Sequence, residues 1–209
     1  MKFRRLVSYA SKVFRIRRKV LFEAALEDLV STETTVPVRF RFGDASDLLA
    51  LRAPENGYDD FDRRFGLERL ALGDRLVVGE TSDGVVFHAW LMFGQMDLSI
   101  RAYRPIPHDA VYSYRLFTVA PFRGQKICPA YYGWLKKSLS TPDESDGSLP
   151  AGTRRVITWA ECRNGPSIQA HVRSGFRQVG LIWHLDLCFR RYFLVRGAFT
   201  DVERTAARA

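Results

Sequence analysis

The sequence predicts a single α/β (α+β) domain, and three observations carry that prediction. Strand-period and helix-period apolar segments interleave, as helices within an early meander and then strand–helix–strand–helix–strand. The 209 residues fit one sizeable domain at roughly 150 residues each. Hydrophobic residues at 46% and charged residues at 26% exclude a disordered, collagenous or solenoid chain. No repeat is visible, and no apolar run approaches the ~20 residues that span a bilayer. The expected organisation is a basic amphipathic helical segment over 1–30, the main domain over 31–200 and a tail over 201–209.

The N-terminal segment reads as a helix. Phe3, Leu6, Val7, Ala10, Val13, Phe14 and Leu21 recur near i, i+3, i+4, i+7, with Arg and Lys on the other face. Val36 to Phe42 alternates apolar and basic residues as a half-buried strand does, and Asp44 is placed to cap a helix through Asp47–Leu51. A second helix over Asp59–Leu72 stops at Gly73. Leu76–Glu80 and Val85–Phe93 form a hairpin across Asp83-Gly84. Met96–Ala102 and the β-branched, aromatic run Val111–Val119 are strands. A helix over Pro129–Leu139 follows, then a polar loop over Ser140–Thr153, a strand over Arg155–Ala160 and a helix over Ser167–Ser174 closed by Gly175. Val179–Leu187 is a strand that Cys188–Val195 extends.

The net charge of +9 is not spread evenly. Residues 1–20 hold eight of the 32 basic side chains and no acidic one, leaving 24 against 23 acidic residues in the remainder, a net +1. A neutral body argues against nucleic acid as a partner. Three readings of the basic segment stay open: docking on its own domain, contact with an anionic membrane or acyl carrier protein through residues 1–20, and a targeting peptide. Cys128, Cys162 and Cys188 are odd in number and lack zinc-site spacing, so free thiols in a reducing cytoplasm and no metal are expected.

Two stretches carry chemistry. Val111 to Trp134 places a strand, the turn Pro121-Phe122-Arg123-Gly124-Gln125-Lys126-Ile127-Cys128 and a helix in succession. Such a turn gathers backbone N–H groups and the positive end of a helix dipole, and Arg123 and Lys126 add charge, so a pyrophosphate suits it. The second stretch is Glu161-Cys162-Arg163-Asn164-Gly165-Pro166-Ser167, followed by a helix ending at Gly175-Phe176.

Together these stretches resemble the GNAT superfamily of N-acyltransferases. Val119-Ala120-Pro121-Phe122-Arg123-Gly124 matches the exit of its fourth strand, and Asn164, Ser167 and Gly175-Phe176 match its second signature. The resemblance covers about Leu76–Leu187. It implies a mixed central sheet of about six or seven strands flanked by helices, splayed between its fourth and fifth strands. Acetyl-CoA or another acyl-CoA lies in that cleft as co-substrate. Phe117, Thr118 and Val119 would pair through their backbone with the pantetheine arm. Arg123, Gly124, Gln125, Lys126, Ile127 and Cys128 would wrap the pyrophosphate, and Asn164 with Ser167 would contact the pantetheine or phosphate region.

The chain departs from the family pattern in two places. Lys126 and Cys128 occupy the two small-residue positions of the turn. Lys126 either obstructs the phosphate or supplies a cation, and the second reading is preferred because its charge has the useful sign. Cys128 reads as a packing residue rather than a nucleophile. His171 stands where the family often has a tyrosine that protonates the departing thiolate, and it is either that acid or a packing histidine. Glu161, at the exit of the fifth strand, is either a base in the same cleft or a structural carboxylate paired with an Arg. Tyr112, Tyr114 and His88 are weaker candidates, since such residues on strands mostly pack.

The expected function is transfer of an acyl group, acetyl preferred, from coenzyme A to an unidentified amine by direct attack on the thioester. The alternatives are a degenerate binding module and a long-chain N-acyl transferase served by acyl carrier protein. An oligomer and a peripheral membrane location are compatible with either.

Overall fold

The structure, a computed structural model, describes residues 14–51, 60–99, 102–140, 150, 152–187 and 190–197. Its strands are β1 (Phe14–Ala25), β2 (Arg39–Gly43), β3 (Arg75–Thr81), β4 (Gly84–Phe93), β5 (Gln95–Ser99), β6 (Ala102–Pro105), β7 (Ala110–Thr118), β8 (Arg155–Glu161), β9 (Arg177–Leu187) and β10 (Arg190–Arg196). The helices are α1 (Asp47–Ala50), α2 (Asp60–Ala71), α3 (Ile127–Ser140) and α4 (Gly165–Arg173). Eight strands form one mixed sheet in the order β10-β9-β1-β8-β7-β4-β3-β2, and β5 pairs with β6. Every described pairing is antiparallel except β7 with β8. No helix among the described residues is long and apolar enough to cross a membrane.

The expected N-terminal helix is corrected from Phe14 onward. Phe14–Ala25 is a strand in the interior of the sheet, between β8 and β9; residues 1–13 lie outside the described residues. Helix and strand readings compete because residues 19–24 of this strand are covered on both faces and so lack a polar side, while Arg15, Ile16 and Arg18 are exposed. Val20, Phe22 and Ala24 enter the core against α3 and α4, while Leu21 enters the opposite core. Lys19 and Glu23 share the Leu21 face and are also buried. Glu23 is paired with Arg155 at 3.3 Å and Arg177 at 3.2 Å, partners 132 and 154 residues away that no local pattern reveals.

The rest follows the expected order with local differences. Met96–Ala102 is not one strand, because Gln95–Ser99 and Ala102–Pro105 turn back on each other. Cys188–Val195 does not prolong β9; β10 returns antiparallel along the sheet edge, and Cys188 itself lies outside the described residues. Ser46 rather than Asp44 is the N-cap of α1, and Asp44 accepts the Ser46 amide at 2.7 Å. Gly175, at φ +93°, ends α4 where an added Cβ would meet the Asp28 carbonyl, so this turn needs glycine.

Two cores flank the sheet. On one face α3 and α4 bury Val77, Phe87, Leu91, Val111 and Val156 under Tyr131, Tyr132 and Leu135. On the other, α1, α2 and the β5–β6 hairpin cover Leu76, Trp90, Tyr112, Tyr114 and Ile157. Each fully buried large apolar side chain contributes about 1.5–3 kcal/mol.

Candidate active site

The parallel pair β7–β8 is joined only at one end. Ala110, Val111 and Tyr112 lie opposite Arg155, Val156 and Ile157, and beyond Tyr112 the strands no longer pair. The closed end is pinned electrostatically. Asp109 takes Arg155 Nη2 at 2.5 Å, and its carbonyl accepts the Arg154 and Arg155 amides at 2.7 and 3.1 Å. Toward the open end β7 carries a bulge: His88 faces Phe117 and Trp90 faces Tyr114, leaving Arg115 and Leu116 opposite Ala89 alone. Arg115 adopts φ +50°, and a bulge of this kind bends the strand and shifts its facing pattern. Tyr114 packs on the α1–α2 side, while Leu116 joins the α3–α4 core. Arg115 ion-pairs with Asp62 at 2.5 Å and lies 4.3 Å from the Phe65 ring, which ties α2 to the bulge.

The cleft opens on the α3–α4 side. One part, 480 Å³, is lined by Phe87, Leu116, Phe117, Asn164, Ser167 and His171 among others. The adjoining 380 Å³ is lined by the turn residues Gly124, Lys126 and Ile127 together with Gln169 and Arg173. Thr118, Arg123, Cys128, Pro166 and Ala170 border both, so the two parts form one groove from the strand parting to the α3 N-terminus.

The turn has the backbone of an anion nest. A 3₁₀ turn at Ala120–Phe122 consumes the Phe122 and Arg123 amides. Gly124 at φ +79° and Lys126 at φ +60° then alternate with residues of negative φ, as in turns that bring successive N–H groups toward one point. Among the described residues, the N–H groups of Gly124, Gln125, Lys126, Ile127 and Cys128 make no hydrogen bond. Three cations rim the groove there: Arg123, Lys126 and Arg173. Arg123 is held by Nε donation to the Thr118 carbonyl at 3.0 Å and by stacking 5.3 Å from the Phe117 ring.

Not all expected cofactor contacts are available. Val119 donates its amide to Val86 at 3.0 Å, so its N–H is spent, and its carbonyl already accepts from Phe122 at 2.9 Å. Thr118 lines the groove, but its carbonyl is taken by Arg123. Asn164 borders the groove as the N-cap of α4, its side-chain oxygen accepting the Ser167 amide at 3.2 Å. Cys128 packs against the core, and burial pushes its thiol up to about 12, which suits the packing role rather than a nucleophile.

The structure does not bring Glu161 and His171 together. Along β8, Thr158 meets His171 on the α3–α4 face at 3.4 Å, while Trp159 lies with the opposite core. Alternation along the strand puts Glu161 on the Trp159 side. His171 does border the groove, but it is buried, stacked on Phe22 at 5.2 Å, and its Nδ1–H donates to the Ser167 carbonyl at 2.6 Å. A carbonyl only accepts, so the ring proton sits on Nδ1 and Nε2 faces the Thr158 hydroxyl as an acceptor. Burial holds the imidazole below its usual value, and hence neutral at pH 7. The acid role expected of His171 does not fit this ring, whose one proton is committed; the packing reading does.

The reading from sequence missed Arg173 and Gln169. Pro166, Gln169, Ala170 and Arg173 follow i, i+3, i+4, i+7 along α4, a stripe that spacing from Asn164 would have exposed.

Neither a protein-family model nor any curated protein matches the sequence. Solved structures do match in fold. A functionally unknown conserved protein from Staphylococcus epidermidis aligns with TM-score 0.57 at 10% identity, over 86% of this chain and 65% of that one. An acetyltransferase from the GNAT family of Colwellia psychrerythraea aligns with TM-score 0.56 at 10% identity, over 90% and 62%. A glucosamine N-acetyltransferase region of a fungal multi-domain β-N-acetylglucosaminidase aligns with TM-score 0.53 at 15% identity, over 93% and 23%. The chain thus spans less than two thirds of the length of each of these proteins. The splayed mixed sheet between two helical layers is the fold of the GNAT acetyltransferases.

Proposed function

We propose that the protein is an acyl-CoA-dependent N-acyltransferase, with acetyl the preferred acyl group. One observation carries the reading: the groove at the parting of β7 and β8 ends in a turn with five unbonded N–H groups and three cations. That donor set suits the pyrophosphate of coenzyme A, and the apolar stretch along Phe87 and Leu116 suits its uncharged arm. Bound along this groove, an acyl-CoA would present its thioester at the bulge. The acceptor amine would approach from the α1–α2 face, where Glu161 stands. Catalysis on this reading is largely positioning, which lowers a bimolecular barrier by several kcal/mol.

Thermal shift by coenzyme A tests it. Ligand binding to the folded state raises the Tm by mass action, and Arg123→Ala weakens that shift by about tenfold in Kd, a loss of ~1.4 kcal/mol from a charge-assisted contact. Absence of any shift with coenzyme A, acetyl-CoA or a long-chain acyl-CoA leaves a binding module that has lost its cofactor.

A further inference from the structure

We propose that the acceptor binds as an ammonium beside Lys19, on the α1–α2 face where β7 and β8 part, and that Lys19 takes its proton. The inference rests on the N-acyltransfer reading and names the acceptor's charge state, its side of the sheet and the base.

Lys19 lies opposite Glu161 in the β1–β8 register. Its Nζ sits 3.3 Å from the centre of the Trp159 ring, two residues back on the same face of β8. Asp97, from β5, accepts the Tyr112 hydroxyl at 2.6 Å, and Tyr112–Ile157 is the last pair before the strands separate. Lys19, Trp159, Asp97 and Glu161 therefore share one face, from the last β7–β8 pair outward along β8.

A purely structural lysine would be paired like its neighbours. On this same face Arg69 meets Asp74 at 2.7 Å and Arg155 meets Glu23 at 3.3 Å. Lys19 is only 6% exposed, and among the described residues the close contact of its nitrogen is the Trp159 ring rather than a carboxylate or carbonyl within hydrogen-bond or ion-pair distance. A buried amine without an acceptor is costly unless a ligand completes it or it loses its proton. Burial brings Lys19 down to about 8 against the opposing pull of Asp97 and Glu161, with Arg17 adding to the lowering. The remaining groups facing it are the Trp159 ring, the Tyr112 hydroxyl and, across β9, the apolar Ile182.

With Lys19 neutral, the two carboxylates give the cluster a charge of about −2, which favours a cationic guest over a neutral or anionic one. The acceptor R–NH₃⁺ passes one proton to Lys19 Nζ, giving R–NH₂ and Lys19–NH₃⁺. The freed lone pair forms the C–N bond at the thioester carbonyl carbon and the C–S bond breaks. The second N–H proton of the forming amide goes to the departing thiolate, giving free coenzyme A.

The test uses the full chain and two readouts. The first needs no acceptor. Lys19→Met should raise the Tm at pH 7, because a buried ammonium is removed, and the gain should fade between pH 8 and about 10.4, where the folded wild type is neutral and the unfolded chain still binds a proton. No gain at pH 7 overturns the buried, unpartnered amine. The second readout is transfer from acetyl-CoA to a panel of n-butylamine, putrescine and glycinamide. Lys19→Met should lower kcat/KM by roughly 10²-fold or more, within the range for a general base, and abolish the limb near pH 8, with the coenzyme A thermal shift unchanged. Lys19→Arg keeps the charge and should not restore turnover. Wild-type turnover in either variant overturns the base, and so does wild-type protein that binds coenzyme A yet acylates none of these amines. Loss of the coenzyme A shift in the wild type instead overturns the parent reading.

Discussion

On the α3–α4 face, the groove is assembled mostly from two short stretches, 116–129 and 164–173, with Phe87 and Thr32 added from elsewhere, and offers backbone N–H groups, helix termini and exposed cations. On the α1–α2 face, the proposed chemistry comes from single side chains brought in from β1, β5, β7 and β8, of which Lys19 and Tyr112 are buried and Asp97, Trp159 and Glu161 half-buried. The first construction tolerates substitution because water can replace a lost surface partner. The second does not, because a buried charge deprived of its partner has no substitute. The two faces should therefore fail differently: mutations on the groove side weaken binding, and those that strand a buried charge on the other side weaken the fold.

The largest expected effect comes from the strand that serves both faces. Removing residues 1–20 deletes more than half of β1 from the interior of the sheet, including Val20 and Lys19. It should abolish cooperative unfolding, as read by circular dichroism and amide exchange. A truncated protein that folds and binds coenzyme A would show that β1 is dispensable, and the contrast between the faces would collapse.

Next in size is the buried network on the α1–α2 face. Arg69 Nε and the Tyr114 hydroxyl both donate to Asp74 Oδ2, at 2.7 and 2.6 Å, and all three residues are buried. Asp74→Ala strands the guanidinium and should cost about 3–5 kcal/mol in urea unfolding, with coenzyme A affinity retained wherever the protein is folded. A loss under ~1 kcal/mol would place this network with exposed ion pairs instead.

Acid sensitivity should come third. Burial brings His88 down to about 4, with Arg115 contributing, against 6.5 for the free side chain. Between those values the unfolded chain binds a proton that the folded protein refuses, so stability falls as pH drops from about 6.5 to about 4. The full loss is on the order of 3 kcal/mol at 1.36 kcal/mol per unit. His88→Phe, which can retain the stacking on Phe117, should flatten that part of the stability–pH curve measured by denaturant titration. An unchanged slope would assign the acid loss to other groups.

The smallest effect should have opposite signs in binding and stability. Lys126 is exposed at φ +60°, where a side chain costs roughly 1 kcal/mol relative to glycine. Lys126→Gly should raise stability by about that amount while weakening coenzyme A binding a few-fold in calorimetry. Tighter binding would mean that the lysine obstructs the nest and does not contribute to it.

The groove residues were largely readable from sequence because turn chemistry is local. Pro121 through Cys128 and Asn164 through Gly175 bear their roles in their spacing, and the structure places them as a nest and a capped helix along one groove. What spacing could not show is where a backbone group is already spent. Val119 lies in the matching position, yet both its amide and its carbonyl are bonded within the protein. His171 likewise sits on the groove, but its proton is fixed by the Ser167 carbonyl and its ring by Phe22, a residue 149 positions away.

The sequence by itself determined the order of most elements from Arg39 onward and the turn between β7 and α3, because periodicity, turn residues and helix ends act over a few residues. Only the tertiary structure decided the identity of β1. Residues 19–24 of this interior strand, flanked by β8 and β9, are buried on both faces, so their alternation vanishes, and the charged Lys19 and Glu23 find their environment through strands near the other end of the chain. It likewise decided that Glu161 and His171 stand on opposite faces. One residue of parity along β8 separates Thr158 from Trp159, and a side chain's face depends on the sheet register, which is set by partners more than 100 residues apart.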